Sequence, residues 1–589
     1  MANVKVDAVT VEIVGNLLLS AAEEVGIAII KSSYSNNIKE RRDISTAVFD
    51  PEGNLIAQAE YIAMHLGSLI TTVKEIIRKY PPEDIRDGDM FIGNDPYKGG
   101  GTHLPDITVA APVFGGGRLI GWVANLGHHS DIGGRVPGSQ CGDATSIFEE
   151  GLRIPLVKVC ENNEPNMGVI EFVTDNSRIS EERYGDLMAQ IAGNRVGRRR
   201  IEEAYARWGD TLVAAMYALE DYTERRLRAG IERLPDGEYC FEDYLDPSPI
   251  FGGKPGKIAV KVTIRGDRMN FDFSGSAKQV EAPINLTYNG LMATVFYCMK
   301  TLIDPSMPTN IGIARTFDIA VEPGLLINCK SPSPVAARID TAMRVVDVIF
   351  GALAPIVGNR AMACCNSTCT TPTFSGFDPR DRDRYLLYLE VIAGGSGAYP
   401  DMDGLDGVQV HMTNTSNLPI EALEMEFPLL NILKYGYRQN SGGAGQYRGG
   451  CGIERKYEVV ADEVEVTLLG DRHTIPPWGL AGGKDGFGGE NRLLRRDGTS
   501  EKLGSRVTSL KLHRGDVLSV NSPGSGGWGN PLKRDENAVL TDVTEGKIDI
   551  SEAARHGVVI KKTEAGFVVD DAATGAARSE NHLTDGRRL

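Results

Sequence analysis

Positive charge is what this chain lacks: 63 Lys and Arg stand against 79 Asp and Glu, a formal charge of −16 over 589 residues. That balance disfavours nucleic acid and anionic membrane surfaces as partners. No uninterrupted apolar run approaches the roughly 20 residues a membrane helix needs. The opening MANVKVDAVTVEIVG has no apolar core behind a basic start, so a secretory leader is not expected. Cysteine is sparse and odd in number, nine scattered residues. This argues against a disulfide framework and suits free thiols in the cytoplasm. A second Cys/His pair at finger spacing does not follow CCNSTC, residues 364–369, so those thiols read as buried packing. A GxxxxGK[ST] phosphate loop is also missing; GGKPGK has neither its spacing nor its hydroxyl.

What the chain does have is glycine, 68 residues gathered in blocks such as SGGAGQYRGGCG and SPGSGGWGNP. Tight turns between many strands are the expected reason. A helix is predicted from Thr10, as its cap, to Lys31, with Ile13, Leu17, Ala21, Val25 and Ala28 as its stripe. DISTAVFDPEGNLIAQAE reads as a hairpin around DPEG, and GSLITTVKEIIRKY as a second helix. ITVAAPVF-GGG-RLIGWVAN is another hairpin; residues 178–230 are helical; strands and turns dominate from Pro235, interrupted by helices near NGLMATVFYCMKTLI and TAMRVVDVIFGALAPIV. The fold class expected is α+β and multi-lobed: an N-terminal metal-binding region of helices and β-hairpins, then mostly antiparallel β regions. The expected divisions are residues 1–230, 231–427, a Gly-rich β domain 428–540, and a helix/hairpin tail 541–589.

GGGTHLPD, residues 99–106, carries the chemistry. Three glycines allow close backbone approach. His103 and Asp106 just behind them suit a metal site, an acid/base pair, or a plain loop hydrogen bond. With the following hairpin turning at Gly116, Leu104 lies opposite His128 and Asp106 opposite Leu126. Strand neighbours stand about 5 Å apart, so His103, Asp106 and His128 can share one ion. His and carboxylate ligands suit Zn, Mn or Fe rather than Ca or Mg. In the first hairpin Asp43 falls opposite Glu60, and Asp43, in ERRDIS, is the preferred fourth ligand. HHSDIGG adds His129 and Asp131 as candidate proton shuttles or ligand-orienting groups. His65, in MHLGS, either lines the same pocket or caps the next helix.

GNDPYKGGGTHLPDITVAAPVF, WVANLGHHSDIGG, NSRISEERYGDLMAQIAGN, PINLTYNG, NTSNLPIEALEMEFP and SPGSGGWGNP together resemble the hydantoinase B/oxoprolinase family, over about residues 8–575. The family includes the B-type chains of ATP-dependent N-methylhydantoinases and caprolactamase, the C-terminal half of 5-oxoprolinase, and subunits of acetone and acetophenone carboxylases. The resemblance implies a metal at His103, Asp106 and His128, with Zn or Mn expected. It also implies a hydantoinase A-type ATPase partner in a hetero-oligomer such as A2B2. That partner would use ATP and Mg to phosphorylate the carbonyl oxygen of a cyclic amide, and this chain would hydrolyse the product. A ketone carboxylase subunit and a non-catalytic metal-bearing scaffold are the alternatives; no cysteine is expected near the site, which disfavours the scaffold. Arg448 in the Gly-rich loops is a candidate phosphate ligand, and Arg338 and Arg344 are candidate carboxylate ligands or helix-surface charges.

Overall fold

A computed structural model describes residues 6–65 and 68–585. The start of the chain at 1–5 and the MHLGS residues 66 and 67 lie outside the described residues, and with them the capping role considered for His65. The N-terminal helices are α1 (Ala8–Ser32), α2 (Asn36–Lys39), α3 (Ser68–Lys79), α4 (Met167–Thr174), α5 (Ser180–Trp208) and α6 (Asp210–Ile231). Asp7, not Thr10, caps α1: its carboxylate accepts from the Thr10 N–H at 2.9 Å. An anionic cap one turn earlier suits the positive helix end better than a neutral hydroxyl. By length and composition α1 alone among the described residues could cross a membrane; its scattered glutamates hide this from a search for unbroken apolar runs. Here Val14, Leu18, Ala21, Val25 and Ile29 are buried, and the helix packs on α5 and the first sheet.

That sheet has seven strands: β1 (Ile44–Phe49), β2 (Leu55–Ala59), β3 (Met90–Gly93), β4 (Asp106–Gly115), β5 (Arg118–His128), β6 (Val157–Glu161) and β7 (Glu164–Pro165). Their order is β2-β1-β5-β4-β3-β6-β7, and the neighbours run antiparallel. Helices cover both faces. Ala110, Trp122 and Ala124 meet Leu69, Val73 and Ile76 of α3, whereas Val113 and Val123 join the α1 side. Burial on both faces explains why these strands read as near-continuous apolar runs.

The hairpin register differs from the sequence reading. Gly115 pairs with Arg118, leaving Gly116 and Gly117 as a two-residue turn with φ of 59° and 77°. A bulge follows between Val113 and Phe114, and the result is Asp106 directly opposite His128. Two glycines at positive φ select the short hairpin turn, and the bulge adds the residue that shifts everything beyond it. A bulge between Val48 and Phe49 shifts the first hairpin too. Glu60 therefore leaves the neighbourhood of Asp43 and pairs with Lys300 Nζ at 2.9 Å and the Thr309 hydroxyl at 3.1 Å.

Further along, Gly237–Leu245, Gly256–Arg265, Arg268–Asp272 and Phe317–Ala320 form a four-stranded sheet, antiparallel except for its last pair. Helices α7 (Tyr288–Ile303) and α8 (Arg338–Leu353) pack together, and α8 lies on this sheet. Every residue of α8 is buried. Two antiparallel sheets of four and five strands fill residues 371–521. The end of the chain holds the expected short helix and hairpin, plus a helix, Asp571–Asp585, that was not expected.

The Gly-rich loops are not mainly turns. They pack backbone on backbone: a Cβ on Gly450 would lie 2.0 Å from the Leu405 carbonyl oxygen, and one on Gly526 2.0 Å from that of Trp478. The corresponding N–H groups are used within the loops, Gly450 to Ser396 O and Gly526 to Cys364 O.

Candidate metal centre

Four polypeptide segments converge where the β-ribbons end. Asp43 precedes β1, His65 follows β2, His103 and Asp106 open β4, and His128 closes β5. Asp43, His65, His103 and His128, with Arg338 and Asp340 from the first turn of α8 and Cys369 from the loop beyond, line a cavity of about 50 Å³. Asp106 lies beneath that lining, fully buried. The apolar wall includes Ile62, Met64, Ile339, Val391, Met412 and Leu469.

The glycines of GGGTH now have a reason. A Cβ on Gly101 would stand 2.3 Å from Asp106 Cβ, inside contact distance. Only glycine lets the loop fold back over that carboxylate. Asp106 Oδ2 accepts from the Thr102 N–H and hydroxyl at 3.1 and 2.9 Å and from the Arg338 guanidinium at 3.1 Å. Arg338 Nε also donates to the Thr102 hydroxyl at 2.9 Å. Oδ1 faces His103 Nε2 at 3.3 Å and His65 Nε2 at 3.5 Å. Burial alone would raise the Asp106 carboxyl, but His103, Arg338 and His65 outweigh it and hold it well below the usual carboxylate range.

His103 Nδ1 lies 3.1 Å from the Ala336 carbonyl oxygen. A carbonyl only accepts, so Nδ1 carries the proton and Nε2 keeps its lone pair. Burial, helped by Arg338, lowers the imidazole to about 4, so it is neutral at pH 7. Glu150 fixes the loop that supplies this carbonyl, accepting from the Val335 and Ala336 N–H groups at 2.8 Å each. The His128 ring stands 4.9 Å from that of His103, centre to centre. Its backbone N–H donates to Asp43 O at 3.0 Å, tying β5 to β1. The Asn37 amide reaches His128 Nδ1 at 2.9 Å and is itself held by Arg41 at 2.7 Å. Burial and the neighbouring His103 keep His128 well below its ordinary value. Asp43 is pushed up by burial, opposed by His65 and Arg41.

His103, Asp106 and His128 offer ligand atoms that all lie within 4.8 Å of one another. His103 Nε2 and Asp106 Oδ1 are buried without any hydrogen-bond partner. Two orphaned electron-pair donors facing each other are costly unless something cationic sits between them. This set therefore fits a divalent ion, and the buried group could hold one. A second group, Asp243, Asp347 and Cys364, has compatible spacing but is already neutralised. Arg472 reaches Asp243 at 2.6 Å and Asp347 at 2.8 Å, and Arg344 reaches Asp347 at 3.0 Å and Asp471 at 2.7 Å.

The other residues singled out in the sequence are placed elsewhere. His129 alternates with His128 along the strand and so faces the opposite side of the sheet. Its Nε2 meets Gln190 Oε1 of α5 at 2.9 Å, and it does not line the cavity. Asp131 accepts from the N–H groups of Gly133, Gly138 and Arg178 and from the Arg178 guanidinium at 3.0 Å. It holds a loop together and does not line the cavity either. Arg448 is buried between Asp406 at 2.8 Å and Asp542 at 3.3 Å, leaving no free face for a phosphate. Arg344 belongs to the buried network, and Arg338 is buried rather than on a helix surface. Cys369 lines the cavity, contrary to the expectation of no nearby cysteine. Burial, reinforced by Asp340, pushes its thiol up to about 12, so it stays neutral. Asp340 escaped the sequence reading altogether. The one local hint was an acidic residue in the first turn of an otherwise apolar helix.

Residues 7–531 match the family described as hydantoinase B/oxoprolinase. An uncharacterized protein of Methanocaldococcus jannaschii is 38% identical, over 96% of this chain and 98% of its own. The B-type chain of a putative D-/L-hydantoinase of Pseudomonas sp. is 32% identical, over 95% and 96%. The beta chain of the caprolactamase of Pseudomonas jessenii is 33% identical, over 98% and 99%. The crystal structure of the ATP-dependent caprolactamase from the same organism has the same fold, with a TM-score of 0.90 at 31% identity over 98% of this chain and 100% of that one.

Proposed function

Because this chain belongs to the hydantoinase B/oxoprolinase family, we propose that it is the ring-opening component of an ATP-dependent cyclic-amide hydrolase. The relatives whose names make them the B or beta component of their enzymes imply a partner chain. In our reading that partner is a hydantoinase A-type ATPase, which uses ATP and Mg to phosphorylate the carbonyl oxygen of a hydantoin, 5-oxoproline or lactam. The observation that carries the reading is the pair of orphaned donors, His103 Nε2 and Asp106 Oδ1, buried beside a cavity.

His103, Asp106 and His128 would hold the ion, with Asp43 as the fourth ligand and Zn or Mn as its identity. A divalent ion there supplies Lewis acidity for a hydrolytic step. The chain's own residues do the rest. Ala336 O fixes the His103 tautomer, Arg338 and Thr102 fix the Asp106 carboxylate, and apolar side chains wall the cavity beside them. An unstrained amide is a poor electrophile, which is why prior phosphorylation by a partner belongs to the scheme.

The test is to purify the chain with its partner, measure bound metal, and supply ATP with 5-oxoproline, hydantoin and caprolactam. Ring opening that depends on ATP and metal, without incorporation of labelled bicarbonate, is the expected result. Label in the product would replace this reading with a carboxylase.

A further inference from the structure

Asp340 is the cavity carboxylate that the ion-holding group does not use. It sits in the first turn of α8 and lines the same cavity as Asp43, His65, His103 and His128. Its Oδ1 is tied down, accepting from the Thr368 hydroxyl and the Cys369 N–H at 2.9 Å each. Thr368 in turn accepts from the Asp471 N–H at 2.7 Å, which joins this hydrogen bond to the buried arginine network. Oδ2 is buried with no hydrogen-bond partner. Among the described residues Asp340 forms no ion pair. The charges that act on it most are Asp471, already bridged to Arg344 at 2.7 Å, and Arg506. Cys369 beside it is neutral. Burial, reinforced by Asp471, raises Asp340 to about 6, near the range where a group both takes and gives a proton at neutral pH.

We propose that Asp340 is the catalytic carboxylate that carries protons from water to the ring nitrogen during ring opening. This rests on the proposed function and adds the residue that decides its outcome. Water adds to the carbon of the phosphorylated amide: the O–C bond forms, the C=N π pair moves to nitrogen, and one water proton travels through Oδ2 to nitrogen. The adduct then has two ways to collapse. If the C–O(phosphate) bond breaks, phosphate leaves, the cyclic amide returns and ATP has been consumed without product. If the remaining hydroxyl proton passes through Oδ2 to nitrogen, the C–N bond breaks with its electron pair on nitrogen. An amine and an acyl phosphate result, and a second water converts the acyl phosphate to carboxylate and phosphate. A proton carrier at the ring nitrogen selects the productive route, since phosphate is otherwise the better leaving group.

The experiment compares the wild-type complex with Asp340→Asn and Asp340→Glu, measuring phosphate released and ring opened in H2¹⁸O. Asn keeps an acceptor for Thr368 and Cys369 but cannot carry a proton. Expected for Asp340→Asn is ring opening slowed by about 10²-fold or more, with unchanged metal content and melting temperature. Phosphate released per ring opened should rise by about tenfold or more, with ¹⁸O appearing in recovered cyclic amide. Asp340→Glu, which restores a carboxylate, should give an intermediate ratio, and serves alone if the Asn variant does not fold. A phosphate-to-product ratio equal to wild type in these variants, at whatever rate, overturns the role of Asp340. A wild-type complex that opens none of the rings overturns the proposed function itself, and this inference with it.

Discussion

Asp106 stands directly across the β4–β5 ribbon from His128, and its two oxygens face different partners. Oδ2 meets the Arg338 guanidinium at 3.1 Å, while Oδ1 meets the His103 imidazole at 3.3 Å. One carboxylate thereby couples the helix α8 to the ribbon ends.

Replacing Asp106 by Asn should do two things at once. It removes a proposed ligand, and it leaves Arg338 buried without a counter-charge, a loss of about 3–5 kcal/mol for a broken buried pair. His103→Gln separates the effects. Losing an outer partner of a ligand already weakens metal binding about 10–100-fold, so losing the ligand should cost at least that, while Arg338 stays paired. Metal analysis after dialysis and urea unfolding check both; a His103→Gln protein that keeps its full metal content contradicts the assignment.

Gly101→Ala is the smallest change that should disturb the site. The new methyl would fall 2.3 Å from Asp106 Cβ, which forces the loop or the carboxylate to move. Overpacking of this kind costs about 1–3 kcal/mol. The expected result is a lower melting temperature together with weaker metal retention. Normal retention would mean that the loop relaxes without moving Asp106.

His129 supplies a pH prediction of its own. Burial, with Arg183, lowers its imidazole to about 3 in the folded chain, against about 6.5 when unfolded. Between those values the unfolded chain binds the extra proton, so stability rises with pH. The contribution of a neutral His129 is complete above about 6.5 and is lost as pH falls toward 3. His129→Gln should therefore flatten the pH dependence of unfolding by up to about 1.4 kcal/mol per pH unit in that window, while leaving metal content unchanged. Parallel curves for variant and wild type would show that His129 is not held neutral.

Arg472→Met and Arg448→Met test the two buried arginine networks as structure rather than binding. Arg472 neutralises Asp243 and Asp347, and Arg448 neutralises Asp406 and Asp542. Each variant should lose about 3–5 kcal/mol of stability because buried carboxylates are left unpaired. The KM for substrate in the assembled enzyme should not move for Arg448→Met; a selective rise would restore it as a phosphate ligand.

Much of the N-terminal site was legible in local sequence. Glycines at a turn, alternating or continuous apolar runs, and a His-x-x-Asp beside one strand end are short-range patterns, and they were enough to bring residues 103, 106 and 128 to one place. Local spacing also pointed to glycine ahead of His103, though only the packing of Gly101 on Asp106 shows why.

Tertiary structure decided the rest. Two bulges, invisible in composition, reset both hairpin registers and moved Glu60 away from Asp43. Period-two alternation at the strand end put His129 behind the sheet while His128 faced the cavity. Arg338, Asp340 and Cys369 reach the site from more than two hundred residues away along the chain. Long-range packing leaves no periodic trace in the segments it joins, so the chain's own pattern marks where a β-ribbon ends but not which buried helix closes over it.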